Sequence, residues 1–142
     1  MGLIGNFDHK IDAKGRLVLP ACFREELGSR VVAAITEGTC VSVYSQSSWE
    51  SVIERLEDIA VKSTAGADIK RRVLANSFHL EIDSMGRILV PEKLRSRLQI
   101  GPDVCVNGNN KKLEIWDLST WQKFMNDSEP LATEINVLIP GL

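Results

Sequence analysis

A mixed α+β fold, mostly β, with one small unit used twice, is the architecture this sequence predicts. Three observations carry that expectation. The chain spells IDAKGRLVLP over residues 11–20 and IDSMGRILVP over residues 82–91. Both copies set Asp and Gly at turn spacing between short apolar runs, as strands joined by a tight turn require. Each copy is then followed by the same succession: a Pro, a short amphipathic stretch, two more strand-like runs, and a hydroxyl-rich helix start before a Trp.

The repeat extends well beyond the ten residues. A shift of 71 positions pairs Phe7 with Phe78, Asp12 with Asp83, Gly15 with Gly86, Arg16 with Arg87, Pro20 with Pro91, Arg24 with Arg95 and Leu27 with Leu98. A slip to 72 pairs Val41, Val43 and Tyr44 with Leu113, Ile115 and Trp116, and Trp49 with Trp121. Such self-similarity means one supersecondary unit used twice. Two copies are too few for a solenoid, whose end units would each expose a face, so the halves are expected to pack together as a pseudo-dimer. The boundaries read as residues 1–60 for the first repeat, 61–76 for a linker helix, 77–126 for the second repeat and 127–142 for a tail.

Within a repeat, the elements follow in order. Residues 10–12 and 16–19 read as strands of a hairpin, with Asp12 suited to the turn's first position and Gly15 supplying a left-handed residue; Asp83 and Gly86 repeat the arrangement. Pro20 and Pro91 fit the first position of a helix, where a missing N–H costs nothing. Phe23 with Leu27, and Leu94 with Leu98, then stand on one helical face, and Gly28 and Gly101 lie near the expected ends. A second hairpin follows from runs 31–35 and 41–44, matched by 104–106 and 113–116. Ser47 with Glu50, and Ser119 with Gln122, fit a capping box at the start of the closing helix. Trp49, Val52, Ile53, Leu56 and Ile59 trace the apolar stripe of the first such helix. The linker opens with a soft S-T-A-G-A and turns helical and basic, and the tail shows no periodicity that would assign it a fold.

Composition excludes several classes. With 142 residues, 44% hydrophobic and 25% charged, the chain can bury a core and is neither a disordered tail nor a filament. No apolar run approaches the roughly 20 residues of a membrane span, and no secretory leader is evident, so a cytoplasmic location without membrane contact is expected. Cys22, Cys40 and Cys105 lack C-x-x-C spacing and read as reduced, mostly buried small hydrophobes, with no metal site. His9 and His79 do not align, and neither G-x-x-x-x-G-K-[ST] nor G-x-G-x-x-G occurs, so no nucleotide or other cofactor is expected. Asp12 and Asp83 do not read as a protease dyad, since Gly follows three residues later and the adjacent Arg depresses a carboxylate pKa. No catalytic residue is expected.

A well-made turn accounts for D-x-x-G but makes no demand for the Arg that follows. Arg16 and Arg87 are therefore the functional surplus. A guanidinium offers five donors in a rigid fork that suits phosphate oxygens or the O6 and N7 edge of guanine, and a two-stranded ribbon fits a DNA major groove. Lys14 and Lys10 would add phosphate affinity. The net charge of −2 argues against a polyanion-binding surface everywhere, yet residues 61–100 hold eight basic against four acidic side chains, including Lys70, Arg71 and Arg72. That run is either a second basic patch or a solvated helix face.

D-A-K-G-R at residues 12–16 and D-S-M-G-R at 83–87, with Gly5, R-R-V-L at 71–74 and E-I-W-D at 114–117, resemble the bacterial MraZ family over nearly the whole chain. The resemblance implies a transcriptional regulator, nucleoid-associated, that binds promoter DNA of the division and cell-wall gene cluster. It implies two tandem AbrB-like swapped-hairpin units forming a double-split β-barrel with flanking helices. It also implies ring-shaped homo-oligomers that read direct repeats, with Arg16 and Arg87 on the DNA. Linked copies on repeated sites gain avidity of roughly 10²–10⁴, which reconciles mild acidity with DNA binding. Met85 stands where the first copy has Lys14, so the second hairpin is the less basic. The alternative is a protein-interaction or antitoxin-like scaffold that uses the same barrel without specific DNA binding.

Overall fold

The computed structural model describes residues 2–127 and 131–142. The chain runs β1 (Leu3–Lys10), β2 (Arg16–Val18), α1 (Ala21–Leu27), β3 (Arg30–Glu37), β4 (Cys40–Ser45), α2 (Gln46–Lys62), α3 (Thr64–Ala75), β5 (Ser77–Glu81), β6 (Arg87–Leu89), α4 (Glu92–Leu98), β7 (Asp103–Asn110), β8 (Lys112–Asp117), α5 (Leu118–Asp127) and α6 (Leu131–Leu138). Six strands form an antiparallel sheet in the order β1-β7-β8-β4-β3-β5, and β2 with β6 forms a separate two-stranded ribbon.

The expected first hairpin forms its turn but not its pairing. β1 pairs with β7 and β2 with β6, while in the other copy β5 pairs with β3. Each half thus lends strands to the other. The 3–4 and 7–8 hairpins stay local, as their spacing predicts. The two halves meet where β4 lies beside β8, with Ser42 opposite Glu114, and where β2 lies beside β6, with Leu17 opposite Ile88. Both are pairs of equivalent repeat positions, so a pseudo-two-fold axis passes through sheet and ribbon alike.

Burial follows the pleat. β3 and β4 are covered on both faces, which is why residues 31–35 are all apolar and 41–44 are broken only by Ser42. On one face, Val31, Ala33, Val41, Val43, Val104, Val106, Leu113 and Ile115 join Leu17 and Ile88 of the ribbon, Phe23 of α1 and Leu94 of α4 in the main core. Each of the Val, Leu, Ile and Phe side chains gains about 1.5–3 kcal/mol from full burial. The opposite face carries two smaller clusters related by the repeat. Tyr44 and Trp49 pack with Val52, Ile53 and Val73, and Trp116 packs with Cys40, Cys105 and Trp121. The layers are therefore ribbon with α1 and α4, then sheet, then α2, α3 and α5.

Several expectations shift. Helices hold more residues than strands, because α2 and α3 form a long helical hairpin and α6 occupies part of the tail. Among the described residues neither sheet closes into a barrel. The closing helices begin before the expected boxes: the Ser45 hydroxyl accepts from the Ser48 N–H at 3.2 Å, and Asp117, its repeat counterpart, accepts from the Ser119 hydroxyl at 2.6 Å. Hydroxyls stand at both Ser45 and Ser47, and the end of β4 decides which of them meets the change in chain direction. Pro20 and Pro91 sit at the N-caps, one residue before the first helical position. Cys22 is exposed, whereas Cys40 and Cys105 are buried. The soft S-T-A-G-A lies within the first turns of α3, capped by Ser63, whose hydroxyl accepts from the Gly66 N–H at 2.9 Å.

Candidate nucleic-acid interface

Each D-x-x-G-R turn is built by its own Asp. The Asp12 carboxylate accepts through Oδ1 from the backbone N–H groups of Lys14 and Arg16, both at 2.9 Å, and through Oδ2 from Arg16 Nε at 2.8 Å. Asp83 repeats the set with the N–H groups of Met85 and Arg87 at 2.9 Å and Arg87 Nε at 2.8 Å. Gly15 and Gly86 close the turns at φ +84° and +76°, the left-handed region where a side chain is strained. The Arg16 and Arg87 backbone N–H groups, reinforced by their guanidinium bonds, hold the two carboxyls below the ordinary Asp range. Both aspartates therefore stay ionised at neutral pH, as turn formers must.

The Asp–Arg contact is the bland reading of the motif, and it is present. It runs through Nε, however, so it aims the guanidinium without engaging its terminal amino groups among the described residues. In the ribbon Arg16 lies opposite Leu89 and Val18 opposite Arg87. Leu17 and Ile88 point into the core, so Arg16, Val18, Arg87 and Leu89 share the outward face. The two arginines are diagonal neighbours, roughly 7–8 Å apart at the backbone.

Two further arginines belong to this surface. Arg24 of α1 donates from Nε to the Leu19 carbonyl at 2.9 Å, and Arg95 of α4 donates to the Val90 carbonyl at 3.1 Å. The two guanidinium groups lie across the opposite copy's turn. A Cβ on Gly15 would stand 2.9 Å from Arg95 Nη2, and one on Gly86 would collide with Arg24. Each turn thus receives one arginine from its own strand and one from a helix of the other half. The turn pattern does not single out Arg24 and Arg95, although both are repeated polar positions beside the apolar helix face, which is a signal in the sequence.

The remaining candidates separate. Lys14 is exposed at the first tip, and Met85 is exposed at the second. Lys10, at the end of β1, faces Asp103 at 3.7 Å and lies off the ribbon. Lys70 pairs with Glu57 of α2 at 2.6 Å and Arg71 with Asp68 at 2.9 Å. These two, with Arg72, lie on α3, in the layer on the far side of the sheet, and cannot join the ribbon face.

A polar cluster sits on that far face near the pseudo-two-fold axis. Buried Glu114 accepts from Asn107 and Asn109 side chains at 3.0 Å and from Trp116 Nε1 at 3.1 Å. Burial pushes its carboxyl up, but these bonds and nearby Lys112 outweigh it and leave the pKa lowered. Glu37, Cys40 and Glu114 bring ligand atoms within 4.8 Å of one another. They make a poor metal site: burial pushes the Cys40 thiol up to about 12, and Lys112 bridges to Glu37 at 2.6 Å. Among the described residues, no helix is long and apolar enough to cross a membrane.

The chain matches a family profile described as "MraZ protein, putative antitoxin-like" over residues 3–72 and again over 73–136. It is 36% identical over 133 residues to a protein named transcriptional regulator MraZ from Thermoanaerobacter pseudethanolicus, covering 94% of this chain and 93% of that one. Proteins of the same name from Symbiobacterium thermophilum, 35% identical over 132 residues with 93% and 96% covered, and from Bifidobacterium longum, 33% over 133 residues with 94% and 89% covered, agree. The double profile match falls on the two strand-exchanged halves, and by it and by these relatives the chain belongs to the MraZ family.

Proposed function

We propose that the protein is a DNA-binding transcriptional regulator that lays the outward face of its β2–β6 ribbon into a major groove. The observation that carries this reading is the convergence of Arg16, Arg87, Arg24 and Arg95 on two adjoining turns. Arg16 and Arg87 are aimed by their own Asp partners at one outward surface. A ribbon fits the groove, and aimed guanidinium groups suit guanine edges or phosphates. Lys14 adds a phosphate contact at one tip. The curated relatives' name, transcriptional regulator, supports the same role.

The finer parts of the reading rest on it. Residues 1–60 and 77–126 act as two AbrB-like units, and the ribbon and large sheet, which share one core, correspond to the two parts of a double-split barrel. Copies assemble as a ring on direct repeats in the promoter of the division and cell-wall gene cluster, in the cytoplasm and on the nucleoid. A second reading, an antitoxin-like interaction scaffold, is favoured by the family description and by the ion pairs that already engage both strand arginines.

One experiment separates them. Wild type, Arg16→Ala and Arg87→Ala are titrated against a promoter fragment of that cluster and a random duplex of equal length, with salt varied and assembly size followed. Each variant should lose about 1–3 kcal/mol of promoter affinity, with a shallower salt slope, in an assembly of unchanged size. Equal affinity of wild type for promoter and random DNA would leave the scaffold reading.

A further inference from the structure

The two tips of the ribbon are not alike. At equivalent positions of the repeat the first turn carries Lys14 and the second carries Met85, each held by the same bond from its backbone N–H to its Asp. Met85 is 63% exposed, two residues from Arg87 on the turn that Asp83 builds. The turn itself does not select a Met there, since Lys14 serves the same geometry in the first copy. Leu89, opposite Arg16 on the outward face, is likewise 57% exposed, whereas its counterpart Val18 is half-buried. Apolar side chains are thus displayed among arginines on the face proposed to enter the groove.

The floor of a major groove offers one apolar feature, the C5 methyl of thymine. A flexible, polarizable thioether fits such a methyl, and a lysine at the same place would seek the phosphate instead. We propose that Met85 reads a thymine methyl next to the base or phosphate contacted by Arg87, making the second tip a base-reading tip and the first a phosphate-anchoring one. This rests on the DNA-binding reading above and deepens it. It also carries a consequence for symmetry. A ribbon with two equal tips would suit a palindromic element equally in either direction, as two-fold proteins suit palindromes. Unequal tips bind an element in one orientation, which is what direct repeats demand.

The test compares one promoter fragment of the cluster made with dTTP and again with dUTP, which removes every thymine methyl and leaves base pairing intact. Full-length wild type should bind the uracil fragment about three- to fivefold more weakly for each methyl it contacts, the worth of one buried methyl group. Met85→Ala, a change at an exposed tip, should bind the thymine fragment more weakly and respond less to the loss of methyls. Met85→Lys should regain affinity at low salt with a salt slope steeper by about one and without that thymine preference. Equal wild-type affinity for the two fragments, with promoter still preferred to random DNA, overturns this inference alone. Discrimination by Met85→Ala as strong as by wild type also overturns it. Wild type that does not distinguish promoter from random DNA overturns the DNA reading and this inference with it.

Discussion

At the scale of single residues, the D-x-x-G-R signature was legible because all of its chemistry is local. Asp12 and Asp83 make the same three bonds in both copies, and the glycines take the left-handed backbone that the turn type demands. What spacing could not show is that Arg24 and Arg95 reach across to the other copy's Gly86 and Gly15, since that contact spans the pseudo-two-fold axis. The cross-contact is measurable. Gly86→Ala should cost about 1–2 kcal/mol for a side chain in the left-handed region, and more because the new methyl displaces Arg24 from Gly86 and from the Leu19 carbonyl. In an Arg24→Ala background that second part is already absent. A double-mutant cycle by chemical denaturation should therefore give coupling of about 0.5–1.5 kcal/mol, the double mutant being less destabilised than the sum. Strict additivity would mean that Arg24 does not rest on the turn.

At the scale of elements, β3, β4, β7 and β8 and the helices α1, α2 and α4 follow from periodicity, but the partners of β1 and β2 do not. A turn closing on its own strand and a turn whose strands pair elsewhere use identical residues, so the local pattern reads as a hairpin in either case. The linker helix over 61–76 contains α3, but its opening is not soft. Gly66 in S-T-A-G-A looks like flexibility, yet it lies in α3 where a Cβ would run into the Ile59 carbonyl of α2. The glycine permits backbone contact between the two helices. In an ordinary helix Gly→Ala stabilises by about 0.4–1 kcal/mol. Here the sign should invert: Gly66→Ala should destabilise by about 1–3 kcal/mol through overpacking, read as a lower denaturation midpoint. Stabilisation instead would mean that α2 and α3 can part without cost.

At the scale of the whole molecule, the repeat told that two units pack as a pseudo-dimer, and strand exchange explains why neither can be complete alone. β1 needs β7 from the other half, β5 needs β3, and β2 and β6 need each other. Two-fold packing of near-identical units raises the question of why each does not simply pair with itself. The axis residues answer it. Ser42 faces Glu114 in the β4–β8 pairing, and Lys112 Nζ reaches the Ser42 hydroxyl at 3.3 Å while lying 3.9 Å from Glu114. A self-pair of the first half would set Ser42 against Ser42, which is tolerable. A self-pair of the second half would set two buried Glu114 carboxylates against each other, a repulsion that the low-dielectric interior magnifies. Fragments 1–63 and 64–142, cut between α2 and α3, should therefore combine one to one into a cooperatively folding complex whose stability rises with concentration. Alone at neutral pH, the first should self-associate weakly and the second should stay unpaired until Glu114→Ser removes the repulsion. Sedimentation and thermal melts of the separate and mixed fragments decide the matter: a 64–142 homodimer as stable as the mixed pair would show that Glu114 does not set partner choice at the axis.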